Sequence, residues 1–314
     1  MGKKKAIENQ IHNVLKSKIS FGQSKHKDKA NLEFGKSSYK IYSYSTYNTY
    51  LKVAKEYARW LTEIKHIEKY EPFQNTEKYV TEYLKYRQEK NISIYTLKME
   101  RSALSMIYGK PIHYELPKRE NKAITRSRTE SINDKHYCRT GKYRDVFTIG
   151  LATGGRRKDL VNLRTSDLRK INGNYYIAFR CSKGGRNRLS PVRQEYAKEV
   201  KEIFLKREME GKERVFDKIP QKIDIHSLRR EYAQGLYRDI VRNPVLRDEY
   251  LKQYPKRREV KTQKNKYGVI CTKEIKTERY RDRGGNVYKR SDLYVVSQAL
   301  GHNRIDTSIA HYIK

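Results

Sequence analysis

The sequence predicts a mainly α protein with small β-hairpins, an α+β arrangement in which an all-helical unit precedes a mixed one. Three observations carry this. Apolar and aromatic residues recur at spacings of three and four over Tyr47, Tyr50, Leu51, Ala54, Tyr57, Ala58 and Leu61, the period of a helix buried on one side. The run Tyr175 to Phe179 is rich in strand formers, and Leu189 to Val192 reads as its return, with Lys183, Gly184 and Gly185 in the connection, which is the pattern of a hairpin. Residues 110–131 hold two prolines, many charges and no apolar period, the mark of a linker.

Taken in order, residues 1–40 are rich in Lys, Asn and Ser, with one weak amphipathic patch at Ile7, Ile11, Val14 and Leu15. They predict a basic arm. A helix follows from Ser45, placed to cap its first turn, to about Glu63. A second is expected over 75–90, with Tyr79, Val80, Tyr83 and Leu84 on one face. A third runs from Ser93 to Tyr108, where Gly109 is a natural stop. These three helices make a domain over 41–109. Its polar faces carry Lys52, Lys55, Arg59, Lys98 and Arg101, either a solvated surface or one that meets a polyanion.

The second domain, 132–314, opens with a helix over about 142–151 that leads into the glycine pair at Gly154 and Gly155. Another helix is expected through Leu160 and Leu163, then the hairpin with Lys183, Arg186 and Arg188 at or near its tip. Helices resume over 195–207 and 226–241. Residues 242–290 read as an inserted hairpin region: basic from Tyr254 to Lys266, strand-like at Tyr267 to Cys271 and Asn286 to Tyr288, with Gly284 and Gly285 as a turn. The last stretch, Gln298 to Lys314, holds a Leu300-Gly301-His302 turn and then Tyr312.

A length of 314 residues fits two domains of roughly 100–200 residues each. The charge of +35, from 71 Lys and Arg against 36 Asp and Glu, is spread along the chain and calls for a polyanionic partner. No run of ~18 apolar residues spans a bilayer, the start MGKKKAIENQ lacks the apolar core of a secretory signal, and Ala6 departs from the myristoylation pattern. Cys138, Cys181 and Cys271 are odd in number and far apart, so a reduced, cytoplasmic protein is expected. Tyrosine is frequent, 27 against seven Phe, which suits half-buried helix faces whose hydroxyls still reach water or phosphate.

Four segments carry the chemistry: TGGRRKDL at Thr153 to Leu160, SKGGRNR at Ser182 to Arg188, HSLRR at His226 to Arg230, and the LGH turn followed by Tyr312. Each alone is weak evidence. In this order they resemble the catalytic domain of the tyrosine recombinases, the phage-integrase family of site-specific DNA recombinases, over about the C-terminal two thirds of the chain. The residue types agree with such chemistry. A guanidinium is permanently charged and forks onto phosphate oxygens. His226 and Arg229, three apart, share a helix face. A tyrosine hydroxyl, with a pKa near ~10, needs cations and a base around it to attack phosphorus.

The resemblance implies roles for these residues. Arg156 and Arg229 would clamp the scissile phosphate, and His226 would hydrogen-bond it or manage the tyrosine proton. His302 would donate to the same phosphate, and Lys183 would protonate the departing 5′ oxygen, with Arg186 and Arg188 as rivals if the register differs. Tyr312 would attack to give a 3′-phosphotyrosyl intermediate, with Asp159 propping an active-site side chain. Tyr294, the nearby competitor, precedes the LGH turn. Arg186 and Arg188 are also candidate DNA contacts.

The resemblance further implies a helical core-binding domain ahead of the catalytic one, the two encircling double-stranded DNA. It implies a homo-oligomer, a tetramer on synapsed DNA, an accessory directionality or DNA-bending factor, and no metal, ATP or other cofactor. The inserted region resembles that of integrases of phages and integrative elements rather than the compact chromosome-dimer resolvases, so integration or excision of a mobile element is the expected role. Two residues follow Tyr312, whereas many family members continue into a helix that docks on a neighbouring subunit. Either the chain is truncated or its subunits couple through the inserted hairpin or the helix before Tyr312. The alternatives are a type IB topoisomerase-like enzyme and a non-catalytic DNA-binding protein on the same fold.

Overall fold

A computed structural model of the protein describes residues 5–33, 37–117, 139–182, 185–255, 260–264, 270–274, 277–282, 284–302 and 304–313. The chain divides into two compact units, Met1–Thr125 and Arg126–Lys314, and the described part is mostly helical with small antiparallel sheets.

The first unit holds α1 (Ile7–Ser17), the short α2 (Lys25–Ala30), α3 (Tyr44–Glu63), a 3-10 segment (Phe73–Tyr79), α4 (Val80–Glu89) and α5 (Ile94–Tyr108). α1 lies where the composition suggested an arm. Its Ile7, Ile11 and Leu15, one turn apart, are almost fully buried in one core with Ala54, Tyr57 and Leu61 of α3 and Leu104 and Ile107 of α5. Main-chain bonds fix both of its flanks: Ile7 N donates to Lys69 O at 2.9 Å, and Ile41 N donates to Lys18 O at 2.8 Å. The charges on its outer side remain in water, so they do not oppose docking; the apolar stripe decides the outcome.

α3 starts earlier than its expected cap. Ser43, in extended backbone, accepts from Thr46 N at 3.2 Å, whereas Ser45 already lies inside the first turn. Ser93 caps α5 by accepting from Thr96 N at 3.2 Å, and Gly109 closes that helix at φ +69°. Tyrosines fill much of this core. Trp60 stacks on Tyr57 at 6.3 Å while Tyr83 meets both edge-on, an arrangement aromatic quadrupoles favour. Part of the expected linker is docked as well: Ile112 and Tyr114 pack on this core, and Arg101 donates to Tyr114 O at 2.8 Å. Residues 118–131 of the expected linker lie outside the described residues.

The second unit begins with α6 (Arg144–Thr153) and α7 (Arg157–Val161), followed by a three-stranded antiparallel sheet of β1 (Leu168–Ile171), β2 (Asn174–Ser182) and β3 (Arg186–Pro191) in that order. The hairpin expectation thus missed one strand. β1 is LRKI, with its two charged side chains exposed, and the sign of it was the Asn172-Gly173 turn, both residues at positive φ, the pair that two-residue hairpins prefer. Next come α8 (Ala197–Met209), α9 (Ile225–Arg242) and α10 (Pro244–Lys252). α10 was not anticipated, although Asn243 accepting from Leu246 N at 3.1 Å and Pro244 in the first turn are the ordinary opening of a helix.

The inserted region holds two hairpins rather than one: β4 (Val260–Lys264) with β5 (Ile270–Glu274), and β6 (Arg279–Arg281) with β7 (Val287–Lys289). The strand-like piece expected from Tyr267 is found later, as β5; residues 265–269 lie outside the described residues. The second hairpin turns where Asp282 accepts from Gly284 N at 2.8 Å and Asn286 N at 2.9 Å. The chain continues through α11 (Arg290–Ala299), α12 (Ile305–Ser308) and a π-helical turn (Ile309–Ile313). α9 is the centre of the unit, packed against α6, α10, α11 and that last turn. Leu228 faces α6 and Leu236 and Ile240 face the other way, so the side chains at the start of α9 are held from several elements.

Candidate active site

The site begins at the end of α6. A Cβ on Gly154, where φ is +59°, would stand 2.3 Å from the buried ring of Tyr232, and one on Gly155 would stand 2.5 Å from Leu160. Only glycines let the chain turn this tightly beneath α9. The turn leaves Arg156 in extended backbone at the start of α7, its main-chain N donating to Asp159 Oδ2 at 3.1 Å.

Asp159 is buried and fully engaged. It accepts from Ser182 Oγ at 2.8 Å and from Arg188 Nη2 at 2.9 Å as well. Burial alone would raise its pKa, but the Arg188 charge and these hydrogen bonds outweigh that and hold it below the ordinary value. Arg188, expected as a DNA contact or a rival to Lys183, has a side chain only 5% exposed. Its guanidinium lies over the Phe179 ring at 4.1 Å and also donates to the Ala299 carbonyl. A charge engaged on all sides beneath the surface cannot reach a groove, so Arg188 joins the hairpin, α7 and α11 instead.

α9 is capped by Asp224, which accepts from His226 N at 3.0 Å and Ser227 N at 3.2 Å. The spacing of three places His226 and Arg229 along one cleft of about 470 Å³, together with Arg156, Arg157 and Lys158. His226 is exposed at its rim. Arg229 is 1% exposed and donates to the carbonyls of Gly154 and Leu300. Its Nη2 lies 3.3 Å from His302 Nε2, and its Nε lies 3.3 Å from the Tyr312 hydroxyl. Arg156 Nη2 reaches the same Leu300 carbonyl at 3.2 Å. Burial first, then the charges of Arg188 and Arg156, push the Arg229 pKa down to about 10, which still leaves it a cation at neutral pH. Three guanidiniums around one carboxylate make a site that an anion would relieve.

The LGH turn depends on Gly301, at φ +65°, where a Cβ would lie 2.7 Å from Arg188 Cδ. Ser297 Oγ donates to the carbonyls of His302 at 3.0 Å and Arg304 at 3.3 Å, which closes the turn. His302 and Tyr312 then face each other with ring centroids 5.3 Å apart. Tyr294 points elsewhere, donating to Pro255 O at 2.7 Å.

The structure therefore brings Arg156, Asp159, Arg229, His302 and Tyr312 together, with His226 at the edge. Lys183 lies outside the described residues; its chain neighbour Ser182 is bonded to Asp159. Arg186 is exposed on the hairpin. In the first unit Lys52 and Lys98 are exposed, Lys55 lies 3.5 Å from Glu8, and Arg59 pairs with Glu56. Sequence reasoning missed Arg157, which donates to the carbonyls of Pro220 at 2.7 Å, Gln221 at 3.2 Å and Ile223 and so pins the loop ahead of α9; nothing in the RR pair foretold it. Among the described residues no His, Cys, Asp and Glu cluster could hold a metal ion, and no helix is long and apolar enough to cross a membrane.

Residues 35–118 match the phage integrase N-terminal SAM-like domain, and residues 122–314 match the phage integrase family. The chain belongs to the phage integrase family. Solved structures agree on the fold of this integrase-family protein. It is similar to XerH site-specific recombinase bound to difH substrate in a pre-cleavage complex, with a TM-score of 0.50 and 18% identity over 99% of this chain and 95% of that one. It is likewise similar to XerH bound to palindromic difH in a post-cleavage complex, with a TM-score of 0.53 and 18% identity over 99% and 94% of the chains. Among curated proteins none matches the chain. In this family the site just described occupies the matched catalytic region, residues 122–314.

Proposed function

We propose that this integrase-family protein is a site-specific tyrosine recombinase that cuts and rejoins double-stranded DNA through a 3′-phosphotyrosyl intermediate, integrating or excising a mobile element. The observation that carries the reading is the Tyr312 hydroxyl 3.3 Å from Arg229 Nε, in the cluster that also holds Arg156 and His302. Arg229 and Arg156, spaced by their shared Leu300 carbonyl, hold the two non-bridging oxygens of the scissile phosphate, where charge is concentrated as the phosphorus is attacked. The Tyr312 oxygen bonds to phosphorus, the bond to the 5′ oxygen breaks, and that oxygen leaves with a proton from Lys183. His226 contacts the phosphate from the cleft rim.

The reverse attack by a 5′ hydroxyl of a partner strand releases Tyr312 and completes exchange. Bond energy is kept in the phosphotyrosyl ester, so rejoining needs no ATP. The net charge of +35 supplies affinity for DNA, with Lys52, Lys98 and Arg186 among the phosphate contacts. XerH is seen on its difH substrate before and after cleavage, which supports a DNA substrate here. Strand exchange between two sites calls for a homo-oligomer, a tetramer on synapsed DNA, with an accessory factor to set direction.

The test is a nicked suicide DNA substrate carrying the junction sequence of the element that encodes the protein, given to wild type and Tyr312→Phe. A covalent adduct with the first and none with the second supports the reading. An adduct with Tyr312→Phe places the nucleophile elsewhere. Gel shifts without any adduct favour a non-catalytic DNA-binding protein.

A further inference from the structure

We infer that Ser308 is a positioning residue that holds the His302 ring in its Nδ1–H tautomer, so that Nε2 offers a lone pair to the reaction. The inference rests on Tyr312 as the nucleophile and specifies how its proton leaves.

A guanidinium has five donors and no acceptor. Arg229 Nη2 lies 3.3 Å from His302 Nε2, so a hydrogen bond between them requires Nε2 to accept. A neutral imidazole that accepts at one nitrogen carries its proton on the other. That other nitrogen, Nδ1, lies 3.3 Å from Ser308 Oγ. A hydroxyl can accept as readily as it donates, and Ser308 is 0% exposed, so solvent does not compete at this position. The Nε2–H tautomer would turn a donor against the donor of Arg229. A doubly protonated ring would add a like charge beside a buried guanidinium. Both alternatives are disfavoured by the same contact.

Ser308 is well placed to impose this. It is the last residue of α12, whose Ile305, together with Ile309 just after it, is buried in a cluster with Leu293 of α11. α12 is therefore seated on the helix that leads into the LGH turn, and the hydroxyl has little freedom relative to the ring. The Nε2 lone pair is then free to take the Tyr312 proton as the phenolic oxygen bonds to phosphorus. The phosphorus–oxygen bond to the 5′ side breaks, and the departing oxygen draws its proton from a separate donor, Lys183. Once doubly protonated, His302 becomes a donor and can bond the phosphate, the role the resemblance implied for it. In this order the ring serves first as acceptor and then as donor.

The tautomer is read directly from the imidazole nitrogen shifts of the full chain labelled with ¹⁵N-histidine, under conditions where imidazole is neutral, with His302→Gln assigning the signal. The expected result is a pyrrole-type Nδ1 and a pyridine-type Nε2 in the wild type. Ser308→Ala mixes the tautomers and slows adduct formation on the suicide substrate by roughly tenfold to a hundredfold, the usual cost of losing an orienting partner. DNA affinity in gel shifts stays unchanged, and Ser308→Thr restores both the tautomer and the rate. A pyridine-type Nδ1 in the wild type overturns the inference, and so does a folded Ser308→Ala with the wild-type tautomer and rate. If the wild type traps no DNA, the reading of Tyr312 falls on its own, while the nitrogen shifts still decide the tautomer.

Discussion

Arg229 and Tyr312 are 83 positions apart in the chain, and the guanidinium Nε of one lies 3.3 Å from the hydroxyl of the other. The contact is made from below. The two carbonyls that hold Arg229, those of Gly154 and Leu300, come from the turns that follow α6 and α11.

Replacing Arg229 by Lys removes the fork that spans those two carbonyls while keeping a charge. Adduct formation should fall about 10²- to 10³-fold, the typical cost of losing one preorganised donor to a charge-developing oxygen. The carbonyls left without their partner should lower stability by about 1–3 kcal/mol. Single-turnover cleavage and thermal unfolding of the same preparation measure both. A variant that cleaves at the wild-type rate would remove Arg229 from the phosphate clamp.

Asp159 and Arg188 form a pair with both side chains nearly buried, and removing one partner leaves the other charge uncompensated. Asp159→Asn should cost about 3–5 kcal/mol near neutral pH. The pH dependence has a definite sign. The folded-state pKa of Asp159 lies below the ordinary 3.8, so its contribution is fully present above that value and is lost as pH falls through the lower, folded one. Denaturant titrations should therefore show wild type and Asp159→Asn converging in acid. A constant gap between them at all pH values would contradict this.

Ile11 is 0% exposed in the helix that composition suggested was an arm. Ile11→Ala should destabilise the protein by about 2–5 kcal/mol, read as a lowered denaturant midpoint. A midpoint within error of the wild type would mean that α1 contributes nothing to the core.

How far such features can be read from a sequence depends on how local their signals are. α3 and α5 were legible because helix period and caps lie within a few residues of one another. The TGGR, HxxR and LGH segments were legible because each is short and their order is specific. Arg188 was misjudged because its partner Asp159 is 29 positions away, and an arginine in a basic hairpin reads as surface until that carboxylate is found. α1 was misjudged because its lysines dominate the composition, although Ile7, Ile11 and Leu15 already repeated once per turn. Ser308 had no signal, since a serine six residues after a histidine implies nothing until the chain folds back.

Lys52 and Lys98 are exposed on the first unit. If they meet phosphates, Lys52→Ala and Lys98→Ala should each weaken binding to all sequences about equally and reduce the slope of log affinity against log salt by about one. Fluorescence anisotropy over a salt series measures this. An unchanged slope would assign those charges to solvation.

The Leu300 carbonyl accepts from both Arg156 and Arg229, so the two arginines are spaced by a main-chain atom contributed late in the chain. During synthesis the arginines emerge long before the turn that sets their separation and before the tyrosine between which and DNA they would act. A partly made polypeptide can therefore be strongly attracted to nucleic acid yet lack any means of cutting it. On the proposed reading, competence to break a chromosome arrives last, as a property of the finished fold.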